Sequence, residues 1–448
     1  MCCEIIGVMN GRQPEIPPHK LISTLRNYDL LPAIVFVPTR RKCDEAASET
    51  AADKSQQTDQ VKYEKRQAMF DEYGIENPEI YKHKHAKILV NSGVASHHAG
   101  HMPAWKLLIE KMMSAGMLNA IFATSTVAAG VDFPARTVVI SNADTRGNDG
   151  WRSLSANELQ QMTGRAGRRG KDNVGFVVLA PGQFQKPHVI AELLRAKPDA
   201  LKSKFRATYT SLLNLLDAFG TFEQVREIAE KSYSAFSKSD GFRRPAKAGT
   251  PNATWKPFLN RAKVLDHFGY LDFEEEKVTE SGKWLADLRV DRPLLVGEAI
   301  RNGLFDDLSP KAMAGAMASL AADPDRDYGQ LYLSDPLMNM IADFEEVIFK
   351  VSQIEWKFGI EPAEEINLSA AAAAERWVAG MSWADLVRRT KAEEGDLVRL
   401  LSRTGEALMQ IAHLTKSDGF SRSGTPKGVT LTSLAYQTAE LMLREPVR

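Results

Sequence analysis

The amino-acid sequence predicts an α/β domain with a parallel sheet, followed by two mostly α-helical domains. Short apolar segments alternate with helical stretches between residues 33 and 180, whereas from about residue 200 the apolar residues recur mostly at helical spacing. Strands that alternate with helices pair in parallel through right-handed crossovers, and helices cover both faces of the sheet. The length of 448 residues is enough for roughly three domains of about 150 residues each.

Composition and charge limit the class of protein. Apolar residues make up 44% of the chain and charged residues 25%, which is typical of a globular protein. The 57 Lys and Arg residues balance the 57 Asp and Glu residues, so a nucleic-acid site must be a local basic patch. The sequence has no run of about 18 apolar residues and no signal-peptide pattern, so we expect no membrane span. Three cysteines without zinc-ligand spacing favour a reducing, cytoplasmic location.

Five apolar segments are the predicted strands of the sheet: 33–37, 93–96, 119–123, 137–140 and 175–179. The predicted helices between them are 41–72, 103–115 and 155–163. Ligands of such sheets bind beyond the carboxyl ends of the strands. Functional residues are therefore expected directly after each strand.

The remainder of the chain is mostly helical in pattern. A basic loop rich in Gly and Pro at 238–254 precedes a predicted helix, a hairpin over 270–278 and another helix, which is the outline of a winged helix. Asp335 is predicted to cap a long helix that has Pro336 at its first position. The expected domains are an α/β domain over 1–198, a winged helix over 199–290 and a helical bundle over 291–448.

The segment QMTGRAGRRG at 161–170 is the strongest candidate for chemistry. Arg165 and Arg168 are three residues apart, so a helical turn would aim both side chains the same way. Gly164 and Gly167 allow the backbone to approach a ligand closely. Paired guanidinium groups suit the charge that develops on a transferred phosphoryl group. The alternative is a solvated basic patch, which is the usual role of an isolated charge run.

Hydroxyl groups follow two of the predicted strands. Thr124 lies in ATSTVAAGVDFPA at 123–135, where hydroxyls and free N–H groups are natural phosphate ligands and Asp132 can accept from a ribose hydroxyl. Thr39, after IVFVP, can cap the next helix and still present its hydroxyl to a phosphate. In both segments the alternative is local: a Ser/Thr-rich turn capped by Asp132, and Thr39 as a helix cap alone.

Two kinds of site are not expected. The histidines cluster at 83, 85, 97, 98 and 101, but no cysteine or paired carboxylate stands at ligand spacing, so no metal site is predicted. His97 to Gly100 is instead expected to form a strand-to-loop turn. The sequence also contains no Gly-x4-Gly-Lys-Ser/Thr phosphate loop and no Asp-Glu-x-His or Asp-Glu-x-Asp magnesium motif.

Several segments resemble the motifs of a known family. IVFVPTR, SHHAG, ATSTVAAGVDFPART and QMTGRAGRRG resemble motifs IV, IVa, V and VI of superfamily 2 helicases, in order and at the right spacing. LNRAKVLDHFGYLDFEEEKVTESGKWLADL and EEGDLVRLLSRTGEALMQI are similar to the DSH C-terminal domain and the ratchet helix of superkiller-type, exosome-associated DExH RNA helicases. The resemblance covers nearly all of residues 20–448. It implies a second RecA-like domain, a winged helix and a ratchet bundle, without the first RecA-like domain of the family.

The resemblance also implies roles for the candidate residues. Arg165 and Arg168 would face the γ-phosphate of ATP, with Arg168 as the arginine finger. The residues that would help to form the nucleotide site are Gly130, Asp132 and Gln161. Those that would contact the backbone of a single RNA strand are Thr39, Arg40, Gly100 and Thr124, together with Arg399 and Arg403 on a polar stripe of the ratchet helix.

The implied function is ATP-driven 3′-to-5′ unwinding of RNA. ATP and Mg²⁺ would bind only with a first RecA-like domain supplied elsewhere, so the expected partners are single-stranded RNA and a chain that carries that domain. The 448 residues alone are expected to hydrolyse no ATP. Two alternatives remain open: a ratchet-type DNA-repair helicase, and a non-enzymatic nucleic-acid-binding fragment or accessory subunit.

Overall fold

A computed structural model describes most of the chain: residues 14–53, 59–130, 133–147, 150–201, 203–233, 235, 254–306, 308–362, 366–416 and 427–447. The chain divides into two compact units. The first unit comprises residues 1–200 together with 394–396, and the second comprises 201–393 and 397–448. Among the described residues, no helix is long and apolar enough to cross a membrane.

A five-stranded parallel sheet forms the centre of the first unit, which confirms the predicted fold class. Its strands are β1 (Ala33–Phe36), β2 (Val94–His97), β3 (Ala120–Ala123), β4 (Thr137–Ile140) and β7 (Phe176–Leu179), in the order β2-β3-β1-β4-β7. Every residue of the first four is buried, because helices cover both faces of the sheet. A hairpin of β5 (Asp144–Gly147) and β6 (Gly150–Ser153) was not predicted.

The helices of the first unit pack on this sheet. They are α1 (Pro18–Asn27), α2 (Arg40–Ala52), α3 (Gln60–Glu76), α4 (Ala86–Ser92), α5 (Pro103–Ser114), α6 (Thr126–Gly130), α7 (Ala156–Thr163) and α8 (Pro187–Arg195), with a 3₁₀ turn at Pro78–Lys82. The prediction of one helix over 41–72 is wrong. Asp53 ends α2 with extended dihedrals, and the carboxylate of Asp59 caps α3 by accepting from the N–H of Lys62. Aspartate is favoured at the ends of helices and disfavoured in their interiors. The spacing of the apolar residues gave no sign of this break between two helices.

In the part of the second unit that the structure describes, the regular elements are helices and one small hairpin. Its elements are α9 (Tyr209–Phe219), α10 (Phe222–Lys231), α11 (Lys256–His267), β8 (Leu271–Asp272), β9 (Lys277–Val278), α12 (Glu280–Asp287), α13 (Pro293–Arg301), α14 (Pro310–Ala321), α15 (Asp335–Lys357), α16 (Leu368–Val378), α17 (Trp383–Thr390), α18 (Glu394–Lys416) and α19 (Lys427–Met442). The first three residues of α18, 394–396, are counted with the first unit. One continuous apolar core joins these elements, from Leu212 in α9 to Met442 in α19. The predicted basic loop lies outside the described residues except for Thr254.

The predicted start of the long helix α15 is wrong by one residue. Ser334 holds the cap position with extended dihedrals, and Asp335 is already the first helical residue, so Pro336 takes the second position. The carboxylate of Glu375 accepts both the N–H and the hydroxyl of Ser334, which fixes this entry. The contact comes from a residue 41 positions away in sequence, so no local pattern could have predicted it.

Candidate functional site

Three of the candidate residues follow three adjacent strands of the sheet. Thr39 follows β1, Gly100 follows β2 and Thr124 follows β3, and these strands lie side by side in the order β2-β3-β1. Since parallel strands end at the same edge, the fold brings the three residues to one carboxyl edge of the sheet.

The hydroxyl of Thr39 serves as the cap of α2. Its oxygen accepts from the N–H of Lys42 at 3.2 Å. Capping uses a lone pair of the hydroxyl, so the O–H remains able to donate to a phosphate. The two predicted roles of Thr39 are therefore compatible. The hydroxyl of Thr124 lies 2.9 Å from that of Thr126, the first residue of α6.

The guanidinium of Arg40 is engaged by a carboxylate of the first unit. Its Nη1 donates to Oδ2 of Asp396 at 2.7 Å, and Nη2 lies 3.4 Å from Oδ1. The side chain of Asp396 is 9% exposed and that of Arg40 is 21% exposed. Arg40 has five N–H donors, so a phosphate contact would have to use the donors that face away from Asp396.

Arg165 and Arg168 lie in the turn after α7, not on a helix, so the predicted shared helical face is wrong. Helix α7 ends at Thr163, and Gly167 has a φ of 91°, which a helix does not allow. The N–H of Gly167 donates to the carbonyl of Ala135 at 2.7 Å, which pulls the chain out of the helical path. At this point Gly175 approaches the same backbone so closely that a Cβ there would lie 2.4 Å from the carbonyl oxygen of Ala166.

The two guanidinium groups are anchored by different acceptors. Nη2 and Nε of Arg165 donate to the carbonyl of Ala128 in α6, at 2.8 and 3.3 Å. Arg168 forms a bidentate ion pair with Asp172, with Nε at 2.7 Å from Oδ2 and Nη2 at 2.8 Å from Oδ1. Arg165 thereby ties the turn after α7 to helix α6, and Arg168 is held by a carboxylate four residues further on.

Asp172 is a buried acceptor shared by two arginines. Its side chain is 1% exposed, and besides both guanidinium contacts it accepts the backbone N–H of Arg168 at 2.9 Å. Nη1 of Arg136 lies 3.3 Å from its Oδ1. The hydrogen bonds from Arg168 hold the pKa of Asp172 well below its usual range. The carboxylate therefore stays ionised and fixes the resting position of Arg168.

The remaining nucleotide-site candidates are Gln161, Gly130 and Asp132. Gln161 is exposed on α7, one turn before Arg165. Gly130 is the last residue of α6, the helix whose Ala128 carbonyl accepts from Arg165. Asp132 lies outside the described residues, so its predicted contact with a ribose has no structural account.

The histidine cluster is centred on a carboxylate that sequence reasoning did not connect with it. Oδ1 of Asp44, in α2, lies 3.1 Å from Nε2 of His85, 3.1 Å from Nε2 of His98 and 3.4 Å from Nε2 of His101. The hydroxyl of Ser96 donates to the same oxygen at 2.7 Å. Although burial raises it, the hydrogen bonds from His101, His85 and His98 hold the pKa of Asp44 far below its usual range.

The spacing of these atoms raises the question of a metal, because Asp44, His98 and His101 offer ligand atoms within 4.8 Å of one another. Hydrogen bonding fixes the ring protons. Nδ1 of His98 accepts from the N–H of Gly100 at 3.1 Å, so its Nε2 carries the proton and donates to Asp44.

The same argument applies to His101. Nδ1 of His83 accepts from the N–H of His85, so Nε2 of His83 donates to Nδ1 of His101 at 3.1 Å. Nε2 of His101 therefore carries a proton toward Asp44 and Ser96. Both Nε2 atoms are donors in this arrangement, whereas a metal needs their lone pairs. The cluster acts as a hydrogen-bonded support for the turn from His97 to Gly100, which has the predicted strand-to-loop form.

In the second unit, the predicted ratchet helix α18 has the expected two faces. Leu397, Leu401, Leu408 and Ile411 are buried, whereas Arg399 and Glu406 are exposed. Arg403 pairs with Asp291 at 2.9 Å and with Asp323 at 3.0 Å, and Arg399 lies 3.8 Å from Asp323. Asp291 and Asp323, which lie in other segments, thus offset the positive charge of the two arginines. The spacing of residues along α18 could not indicate these partners.

The unpredicted hairpin β5–β6 carries an exposed aromatic residue. Trp151 is 60% exposed. Nη1 of the neighbouring Arg152 donates to Glu158 of α7 at 2.7 Å, which attaches the hairpin to the helix that leads to Arg165. The alternation of apolar and polar residues is too short here to predict a strand.

Two family descriptions match this chain. The helicase conserved C-terminal domain matches residues 19–170, which include Thr39, Gly100, Thr124, Arg165 and Arg168. The DSHCT (NUC185) domain matches residues 275–447, which include the α18 stripe.

Individual relatives agree with these matches. Superkiller complex protein 2 of Homo sapiens is 35% identical over 224 residues, covering 48% of this chain and 17% of that protein. Exosome RNA helicase MTR4 of Homo sapiens is 34% identical over 201 residues, covering 44% and 19%. DExH-box ATP-dependent RNA helicase DExH15 chloroplastic of Arabidopsis thaliana is 33% identical over 255 residues, covering 53% and 21%. The alignments thus span about a fifth of the length of each relative.

Proposed function

We propose, from its similarity to the C-terminal portion of superkiller-type DExH helicases, that this chain is the C-terminal part of an ATP-dependent 3′-to-5′ RNA helicase. In this proposal the first unit binds the backbone of single-stranded RNA and supplies the arginine finger. The second unit supplies a helix, α18, that lines the path of the strand. ATP and Mg²⁺ are held mainly by a first RecA-like domain.

The observation that carries the proposal is the row of phosphate-binding groups at one edge of the sheet. Thr39, Gly100 and Thr124 follow three neighbouring strands, β1, β2 and β3, and the two threonines offer hydroxyls there. The N–H of Gly100 donates to Nδ1 of His98, so Gly100 contributes the shape of the turn. Hydroxyl groups contact phosphates without reading bases. A strand bound in this way can move by one nucleotide and find equivalent contacts, which directional unwinding requires.

The arginine pair supports the catalytic part of the proposal. The guanidinium of Arg168 is planar and permanently charged, and Asp172 holds one edge of it through Nε and Nη2, so its orientation is set before any phosphate arrives. Arg165 is anchored to the carbonyl of Ala128, in the segment that resembles motif V. A movement of α6 would therefore be transmitted to the turn after α7, and the reverse, through the side chain of Arg165.

ATP hydrolysis tests the finger assignment. We expect the 448-residue chain alone to show background ATPase activity, because its sequence contains no phosphate loop to hold the β- and γ-phosphates. Adding the separately produced first RecA-like domain of a superkiller-type relative should give RNA-stimulated hydrolysis. Arg168→Ala should then lower the rate by about 10³-fold or more.

Arg169 provides the matched control. It is the next residue, it is exposed, and it carries the same charge. Arg169→Ala should leave most of the stimulated rate intact. Equal losses in the two variants would refute the finger assignment. RNA binding without ATPase activity in the reconstituted mixture would favour the alternative, a non-enzymatic RNA-binding fragment.

A further inference from the structure

The second unit contains a cavity of about 320 Å³. None of the candidate residues lines it, and the sequence did not predict it. This is near the lower end of the range for small-ligand sites, about 300–1,000 Å³. The starts of helices α9 and α13 and the second half of α15 form its walls, and Arg261 of α11 closes one side. Apolar side chains of Leu295, Ile348 and Val351 line the interior.

Polar groups converge on one wall of this cavity. The hydroxyl of Tyr209 donates to Oε1 of Glu355 at 2.6 Å. The guanidinium of Arg261 lies 5.7 Å from the centre of the Tyr209 ring. Burial raises the pKa of Glu355, and burial followed by the charge of Glu355 raises the pKa of Tyr209. An apolar cavity with a few polar groups whose pKa values are shifted is the usual form of a ligand site.

The chemistry of the wall specifies a planar ligand with an amino group at its edge. The Tyr209 ring and the Arg261 guanidinium provide flat surfaces for stacking. One oxygen of Glu355 is used by Tyr209, and a carboxylate has lone pairs on both oxygens, so Glu355 can accept from a ligand N–H as well.

The cavity adjoins the basic stripe of α18. Asp291, which lines the cavity, is the residue that pairs with Arg403 at 2.9 Å. A strand bound along the stripe would therefore pass close to the cavity mouth, and its unstacked bases are flat, partly apolar and edged with hydrogen-bonding groups.

We propose that this cavity binds a nucleobase that carries an exocyclic amino group, with Glu355 accepting from the amino group and Tyr209 and Arg261 stacking on the ring. As a base of a bound RNA strand, this ligand depends on the proposed function; as a free nucleotide, it does not. The site adds a base preference to binding that is otherwise independent of sequence.

Cytosine and uracil are the matched probes: position 4 carries an amino donor in cytosine and a carbonyl acceptor in uracil, and N3 is an acceptor in cytosine and an N–H donor in uracil. A carboxylate accepts from the cytosine amino group and faces the uracil carbonyl without a donor. We expect the full chain to bind a 12-nucleotide oligocytidine about tenfold more tightly than oligouridine in fluorescence anisotropy at constant salt. Glu355→Gln, whose amide both donates and accepts, should reduce that ratio to near one.

Glu346→Gln is the control, since Glu346 is exposed on the same helix. It should keep the cytosine preference, and melting curves should show that both variants are folded. Equal affinity of the parent chain for the two oligomers, or a preference that survives Glu355→Gln, would overturn the proposal while leaving RNA binding in place.

Absence of binding to both oligomers would instead count against the proposed function. The cavity is then tested with free nucleotides, by equilibrium dialysis of CMP and UMP. A CMP preference that Glu355→Gln removes would support the site with a free nucleotide as its ligand. No CMP binding, or no preference, would overturn it.

Discussion

The buried histidines predict that the first unit loses stability in mild acid. Burial lowers the pKa of His83 to about 2 and that of His101 to about 3, so both rings are neutral in the folded chain at pH 5.5. An unfolded histidine has a pKa of about 6.5 and is mostly protonated at that pH. The unfolded state thus binds more protons, and stability must fall as the pH falls below about 6.5.

The magnitude follows from the number of protons. Between neutral pH and pH 5.5, each histidine that stays neutral only when folded contributes about 1.4 kcal/mol to the loss. Two such histidines together lower the free energy of unfolding by about 2–3 kcal/mol. Their contributions are not fully additive, because the two rings contact each other and Glu394 lies 3.8 Å from His83. His97, whose pKa burial also lowers, acts in the same direction. The carboxylate of Asp44 stays ionised across this range and does not offset the loss.

Pulsed hydrogen exchange after equilibration in urea measures this loss for each unit separately. Samples are equilibrated at pH 7.5 or 5.5 and labelled at one common pH, and peptides from residues 86–123 report on the first unit. The free energy of unfolding should fall by about 2–3 kcal/mol between the two samples. In His83→Phe, which keeps a ring against Trp105, the fall should be about half as large.

His188, which is exposed on α8, supplies the control. His188→Gln should leave the pH-dependent fall unchanged. A first unit equally stable at both pH values, or a His83→Phe variant as acid-sensitive as the parent chain, would refute the reasoning.

Three further predictions concern single contacts. Asp172→Asn should leave Arg168 and Arg136 with a neutral partner and destabilise the first unit by about 2–3 kcal/mol, measured by the same exchange method. An unchanged free energy of unfolding would show that the charge of Asp172 contributes nothing to stability. Gly175→Ala should destabilise the first unit by about 1–3 kcal/mol, because its Cβ would lie 2.4 Å from the backbone of Ala166. A melting temperature lowered no further than in a Gly182→Ala control, where an added Cβ would lie 3.9 Å from the carbonyl oxygen of Ser141, would contradict it. Arg403→Ala should lower thermal stability more than Arg399→Ala, since Arg403 contacts two carboxylates within 3.0 Å whereas Arg399 lies 3.8 Å from one. Equal effects of the two substitutions would contradict this reasoning.

The sequence alone was sufficient to predict the parallel sheet. Apolar residues occupy both faces of β1, β3 and β4, and such strands are stable only between helices, so the pattern determined the fold class and the strand positions to within a residue. The motif segments likewise led directly to Thr39, Thr124, Arg165 and Arg168, because strand ends and glycine-rich turns are local features.

The tertiary structure decided which groups hold these residues. Asp44 accepts from histidines about 40 to 57 positions away, and Asp291 and Asp323 pair with Arg403 from 112 and 80 positions away, contacts that depend on how helices pack. The cavity around Tyr209 and Glu355 likewise joins residues 146 positions apart. Periodicity gives the face of a helix, but which partner meets that face depends on packing, so the supports of the site and the cavity became visible only in the folded chain.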